Sequence, residues 1–165
     1  MKYKDKFTFN FIMTTKSITS ATLYFDGCSK GNPGPSGSGA MIKYQTNMTN
    51  VNNDISLCES VGNTTNNVAE YKGLILGLKY LNNHLNLKYL TIKGDSMLVI
   101  NHMSGKYKVK SPNLLPLYNE AKELIEHIKN KNVEIEILFL YIPREENKEA
   151  DYLANMGLKQ PLVSN

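Results

Sequence analysis

Three β-favouring runs precede the first helical stripe in this chain, and that order restricts the fold more than any single residue does. Ala21 to Asp26 (ATLYFD) is a short β-favouring run that ends in Asp-Gly, a turn signal. The glycines and prolines of the next stretch, GCSKGNPGPSGSG, exclude a helix. Ala40 to Tyr44 (AMIKY) and Ile55 to Val61 (ISLCESV) are two further strands, joined by an Asn-rich loop. Three successive strands with such connections predict an antiparallel meander.

From Asn67 to about Leu85 the period becomes helical. Tyr71, Leu74, Ile75, Leu78, Leu81 and Leu85 form one stripe, flanked by Gly73 and Gly77, which permit close packing. Lys88 to Lys93 (KYLTIK) is a fourth strand, followed by a short helix from Ser96 to about Met103. A second long helix runs from about Leu114 to Lys129, Val133 to Ile142 is a fifth strand, and a last helix begins near Lys148. The pattern predicts an α/β fold: a five-stranded mixed sheet, its first three strands antiparallel, flanked by helices. The right-handed crossover rule brings strand four beside strand one and parallel to it, which gives the order 3-2-1-4-5. The direction of growth reverses between strands one and four, and ligands of such sheets bind at that reversal. Asp26 and Asp95 fall there, at the ends of those two strands.

The chain has 165 residues, enough for one domain with one core, and shows no internal repeat or linker. Residues 1–20 are expected to be a flexible extension, 21–158 the domain and 159–165 a tail. The extension has lysines at 2, 4, 6 and 16 and apolar residues at Phe7, Phe9, Phe11 and Ile12, without the continuous core of a signal peptide. No apolar run approaches the length of a membrane span, so no membrane partner is expected. Cys28 and Cys58 give neither a metal-binding pair nor a disulfide framework, and a reducing compartment, cytoplasmic or nuclear, is the default. Organellar targeting by the extension stays open. The net charge of +4 is compatible with a polyanionic partner and does not establish one.

Taken singly, each candidate acid has an ordinary explanation. Asp26 precedes Gly27 and makes a turn; Asp95 caps the short helix. Asn67 and Glu70 have the spacing of a capping box, and Asp151 sits in the first turn of the last helix, where the dipole favours negative charge. The joint arrangement is harder to dismiss. Four acids on separate elements converge on one edge of the sheet, where they repel one another and their pKa values rise. Divalent cations resolve that repulsion. Mg²⁺ prefers oxygen ligands and phosphate, and two such ions about 4 Å apart activate a water and stabilise the leaving oxygen of an in-line phosphoryl displacement.

The strings YFDGCSKGNPGPSGSGAMI, TTNNVAEYKGLILGL, IKGDSMLVI and REENKEADYLANMG resemble the successive motifs of the type 1 ribonuclease H family, across roughly Ala21 to Leu158. The resemblance implies a ribonuclease H-like fold, with Asp26, Glu70, Asp95 and Asp151 as metal-binding carboxylates. It implies two Mg²⁺ ions, with Mn²⁺ as a substitute, and endonucleolytic hydrolysis of the RNA strand of an RNA–DNA hybrid to 5′-phosphate and 3′-hydroxyl ends. Cys28, Ser29, Asn32, Asn66 and Asn67 match positions that contact the hybrid backbone in this family. Thr65 resembles the residue lining its DNA-phosphate pocket, and Tyr107 matches a position often filled by Trp.

Where the chain departs from its relatives, the expectations shift. GKYKVKSPN is too short for the basic handle of some members, so Lys106, Lys108 and Lys110 offer at most a modest patch. Met97 stands where some relatives carry a polar Gln, and the loop before Asp151 contains no His. Arg144 occupies that region instead, like a shorter-loop branch, and is the fifth catalytic candidate; its ordinary role is a surface ion pair with Glu145 or Glu146. His84, His102 and His127 lie on predicted helices as surface or packing residues. The Gly-rich stretch lacks the Gly-Lys-Ser/Thr ending of a nucleotide loop, so no nucleotide cofactor is expected. The enzyme is expected to act as a monomer. Two other functions stay open: a same-fold nuclease acting also on double-stranded RNA, and an inactive nucleic-acid-binding module.

Overall fold

The computed structural model of the chain describes residues 19–46, 49–84 and 86–161, the side chains of residues 49–52 and 84 excepted. Strands β1 (Thr19–Ser29), β2 (Gly34–Thr46) and β3 (Thr49–Thr64) form the meander. Helix α1 (Asn66–His84) leads into β4 (Leu87–Gly94), α2 (Met97–Met103) and α3 (Leu115–Lys131). Strand β5 (Glu136–Tyr141), a 3-10 turn (Arg144–Glu146) and α4 (Lys148–Leu158) complete the fold. The sheet order is β3-β2-β1-β4-β5, as the crossover rule requires: β1 pairs antiparallel with β2 and parallel with β4.

The meander strands are longer than their apolar runs suggest. The Asn-rich stretch after Tyr44 is not a loop but part of the ladder, with Tyr44 paired to Asn53 and Thr46 to Thr49. Backbone pairing carries a long hairpin past the residues whose side chains contribute to the core. At the other end, Gly34–Gly39 pairs with β1 and β3 although its composition looks like a turn. Strand β1 begins at Thr19, two residues before the expected run; residues 1–18 of the expected extension (1–20) and residues 162–165 of the expected tail (159–165) lie outside the described residues.

On the sheet's inner face, Leu23, Phe25, Ile42, Leu90 and Ile92 meet the predicted α1 stripe (Leu74, Leu78, Leu81) and Ile125 and Ile128 of α3, all buried. Leu85 of that stripe is outside the described residues. The outer face receives α4 across β1, β2 and β3. Gly37 and Gly39 of β2 allow this contact: a Cβ on either would stand 2.2–2.4 Å from α4 backbone atoms. No helix among the described residues is long and apolar enough to cross a membrane.

Candidate metal centre and nucleic-acid cleft

Asp26 lies within β1, and the register that pairs Phe25 with Gly94 sets it beside Asp95, the first residue after β4. Glu70 arrives from α1, which approaches β1 closely because Gly27 has no side chain. A Cβ there would stand 2.2 Å from the backbone of Ala69 and Glu70. One carboxylate oxygen from each of Asp26, Glu70 and Asp95 lies within 4.8 Å of the others. Asp26 and Glu70 are 4% and 6% exposed.

Burial outweighs the hydrogen bond that Asp26 Oδ1 accepts from the Gly27 amide (2.8 Å) and defines the electrostatics. Desolvation, then the charge of Asp95, pushes the Asp26 carboxyl up to about 7. Desolvation and the neighbouring charges of Asp26 and Asp95 hold Glu70 well above the usual carboxylate range. Glu70 Oε1 accepts a long hydrogen bond from Asn66 Nδ2 (3.5 Å), whereas Oε2 is buried with no donor. An all-oxygen set of mutually repelling carboxylates, two of them buried, with an orphaned acceptor fits a hard divalent cation.

Asp151 borders the same cleft of about 540 Å³ but stands outside the three-acid cluster. Its Oδ1 accepts from Arg144 Nη2 at 3.2 Å, so the ion pair of Arg144 is with Asp151 rather than with Glu145 or Glu146. The cause is geometric: the 3-10 turn folds residue 144 back over the first turn of α4. Arg144 is 79% exposed and free to change partner.

Two capping expectations are corrected. Ser96, not Asp95, caps α2, its hydroxyl accepting from the Val99 amide, which leaves the Asp95 carboxylate to the cluster. Thr65, not Asn67, caps α1, accepting from the Val68 amide, so Glu70 belongs to no capping box. Asn32 Oδ1 accepts from the Asn66 amide at 3.0 Å, tying the β1–β2 turn to the start of α1.

The expected substrate contacts divide between two neighbouring clefts. Cys28, Ser29 and Asn66 line the acidic one. Asn32, Thr65, Asn67 and Tyr107 line a second, of about 750 Å³, together with Lys106, Lys108 and Lys110. Tyr107 is 53% exposed, so an apolar ring faces solvent among three lysines. His102 packs, as expected, but beneath this second cleft: it is buried, and its Nδ1 is 2.8 Å from Tyr71 Oη. His127 is exposed on α3, and the His84 side chain lies outside the description.

Asn147 was missed. It is 1% exposed, and its amide donates to Asp95 Oδ1 (2.8 Å) and to the Phe25 carbonyl (2.9 Å). Its place before a helix suggests a cap, yet it makes no side-chain cap bond. Tyr141 and Asn155, which also line the acidic cleft, carried no signal beyond their neighbourhood.

Comparison with known proteins agrees with this fold. A family model described as "Reverse transcriptase-like" matches residues 24–157. The "Bifunctional protein Rv2228c" of Mycobacterium tuberculosis is 42% identical over 133 residues, 79% of this chain; the chain spans only 33% of that protein's length. The solved N-terminal RNase H domain of rv2228c superposes with a TM-score of 0.71 at 36% identity, covering 85% of this chain and 94% of that one. LC11-RNase H1, solved in complex with an RNA/DNA hybrid, is 37% identical with a TM-score of 0.64, covering 84% and 96%.

Proposed function

This chain belongs to the type 1 ribonuclease H family, and from that membership we propose that it is an endonuclease that hydrolyses the RNA strand of RNA–DNA hybrids, leaving 5′-phosphate and 3′-hydroxyl ends. The observation that carries this reading is the cluster of Asp26, Glu70 and Asp95, in which the buried Asp26 and Glu70 are raised in pKa, opening beside a lysine-lined cleft.

Asp26, Glu70 and Asp95 would hold the cation, and Asp151, now paired with Arg144, would be the fourth carboxylate toward it. Two Mg²⁺ ions, or Mn²⁺ in their place, would supply an acidified water and neutralise charge on the phosphate in an in-line displacement. The protein's own part is positional. The β1–β4 register sets Asp26 against Asp95, and the glycine at 27 lets Glu70 close over them. Arg144 acts on the departing phosphate, where a guanidinium provides a permanently charged, two-pronged donor.

Hybrid recognition follows from the division of the clefts. Cys28, Ser29 and Asn66 meet the RNA strand beside the acids, where 2′-hydroxyls distinguish it. Thr65, Asn67 and Asn32 take phosphates of the DNA strand, Tyr107 packs against its sugars, and Lys106, Lys108 and Lys110 add sequence-independent attraction. Two free cysteines fit an intracellular enzyme, cytoplasmic or nuclear.

Labelled RNA–DNA hybrid, double-stranded RNA and double-stranded DNA, each incubated with and without Mg²⁺, test the reading. Cleavage of the hybrid's RNA strand only, and only with the metal, is expected. Equal cutting of double-stranded RNA would shift the substrate class, and binding without cleavage would reduce the chain to a nucleic-acid-binding module.

A further inference from the structure

The outer face of the sheet is half covered: α4 crosses β1, β2 and β3, and among the described residues no helix lies across β4 and β5 there. The register sets Tyr89, Thr91 and Lys93 of β4 beside Glu136, Leu138 and Leu140 of β5 on this open side. Leu138 is 53% exposed, Tyr89 47% and Leu140 37%. Ile137 and Phe139 point the other way, against the core. β5 is therefore apolar on both faces, the pattern of a strand covered on both sides rather than of one with a face in water. It is also an edge strand, where two outward leucines invite association.

We propose that the patch of Leu138, Leu140 and Tyr89 is covered by residues 7–12 of the same chain. Phe7, Phe9 and Phe11 alternate with Thr8 and Asn10, the period-2 pattern that would give an extended strand one aromatic face. The chain enters β1 at Thr19, whose partner on β4 is Leu87, so it arrives at the end of the sheet where β4 and β5 also begin. Two strand spacings, about 10 Å, separate β1 from β5. Residues 13–18 alone reach about 20 Å when extended, enough to bring Phe7 to Phe11 over the leucines.

Hydrogen–deuterium exchange on the full chain tests this, comparing wild type with F7S/F9S/F11S and with L138T/L140T at one low protein concentration. The phenylalanine variant is expected to exchange the 136–141 amides about tenfold faster, with β1 and β2 unchanged. Reciprocally, residues 7–12 are expected to be protected in wild type and to lose that protection in L138T/L140T. If the phenylalanine variant unfolds, β1 and β2 lose protection as well, and L138T/L140T carries the decision. Residues 7–12 exchanging at the unprotected rate in wild type would overturn the proposal. So would β5 protection that rises with protein concentration and ignores the phenylalanines, the signature of a second copy on this face.

Discussion

Asn147 donates one amide hydrogen to Asp95 Oδ1 at 2.8 Å and the other to the Phe25 carbonyl at 2.9 Å. A single buried side chain at the start of α4 therefore ties the acid that follows β4 to the strand that carries Asp26. The loop before α4, the least regular part of the site, is anchored by the same two bonds.

Replacing Asn147 with Ala leaves Phe25 O and Asp95 Oδ1 without this donor, at a cost of about 1–3 kcal/mol. Weaker Mg²⁺ binding is also expected, because Asp95 loses the contact that orients it. Thermal melts and calorimetric Mg²⁺ titration check both. Unchanged metal affinity in Asn147→Ala would limit the residue to a packing role.

Arg144 is exposed and held by one ion pair, so its contribution to stability is small. Arg144→Ala is expected to change stability by less than roughly 1 kcal/mol while lowering turnover markedly, and Arg144→Lys to recover only part of it. Steady-state kinetics on a hybrid beside melts of each variant measure the two effects; full activity in Arg144→Ala would contradict the assignment.

The acid cluster predicts an unusual pH dependence for the metal-free protein. Asp26 rises from 3.8 to about 7 on folding, and Glu70 rises well above 4.5, so the folded state holds more protons than the unfolded chain. That stability is full below about pH 4 and is lost as pH climbs through about 7. Saturating Mg²⁺ binds the deprotonated form and should reverse the trend. Melting temperatures from pH 4 to 8, in EDTA and in Mg²⁺, give the comparison. A metal-free melting temperature that rises across this range would contradict it.

Lys106, Lys108 and Lys110 border the second cleft. If all three neutralise phosphates, changing them to Gln lowers the slope of log affinity against log salt by about 2–3. Hybrid binding measured with a catalytically silent variant at several salt concentrations reads this directly. An unaltered slope would make them solvated loop residues.

Much of this arrangement is legible in the amino-acid sequence. The order of periodicities and the handedness of crossovers lead to the 3-2-1-4-5 sheet, because both are backbone rules insensitive to loop detail. Strand ends were not legible: pairing runs through Asn-rich and Gly-rich segments whose side chains say little. Asp26, Glu70 and Asp95 were visible as acids at the ends of the right elements. Asn147 was hidden because, in a string as charged as REENKEAD, nothing marks one amide as buried. The partner of Arg144 was missed for a related reason: Glu145 and Glu146 are nearer in sequence, and only the 3-10 turn makes Asp151 nearer in space.

Single-turnover cleavage of a labelled RNA–DNA hybrid by wild type and Asp95→Asn, with enzyme in excess and saturating Mg²⁺, tests the central claim most directly. Asparagine preserves size while removing the negative charge that the cation needs. The wild type is expected to cut the RNA strand, and the variant to be slower by several orders of magnitude while melting at the same or a higher temperature in EDTA. Cleavage by Asp95→Asn at near the wild-type rate would contradict the account.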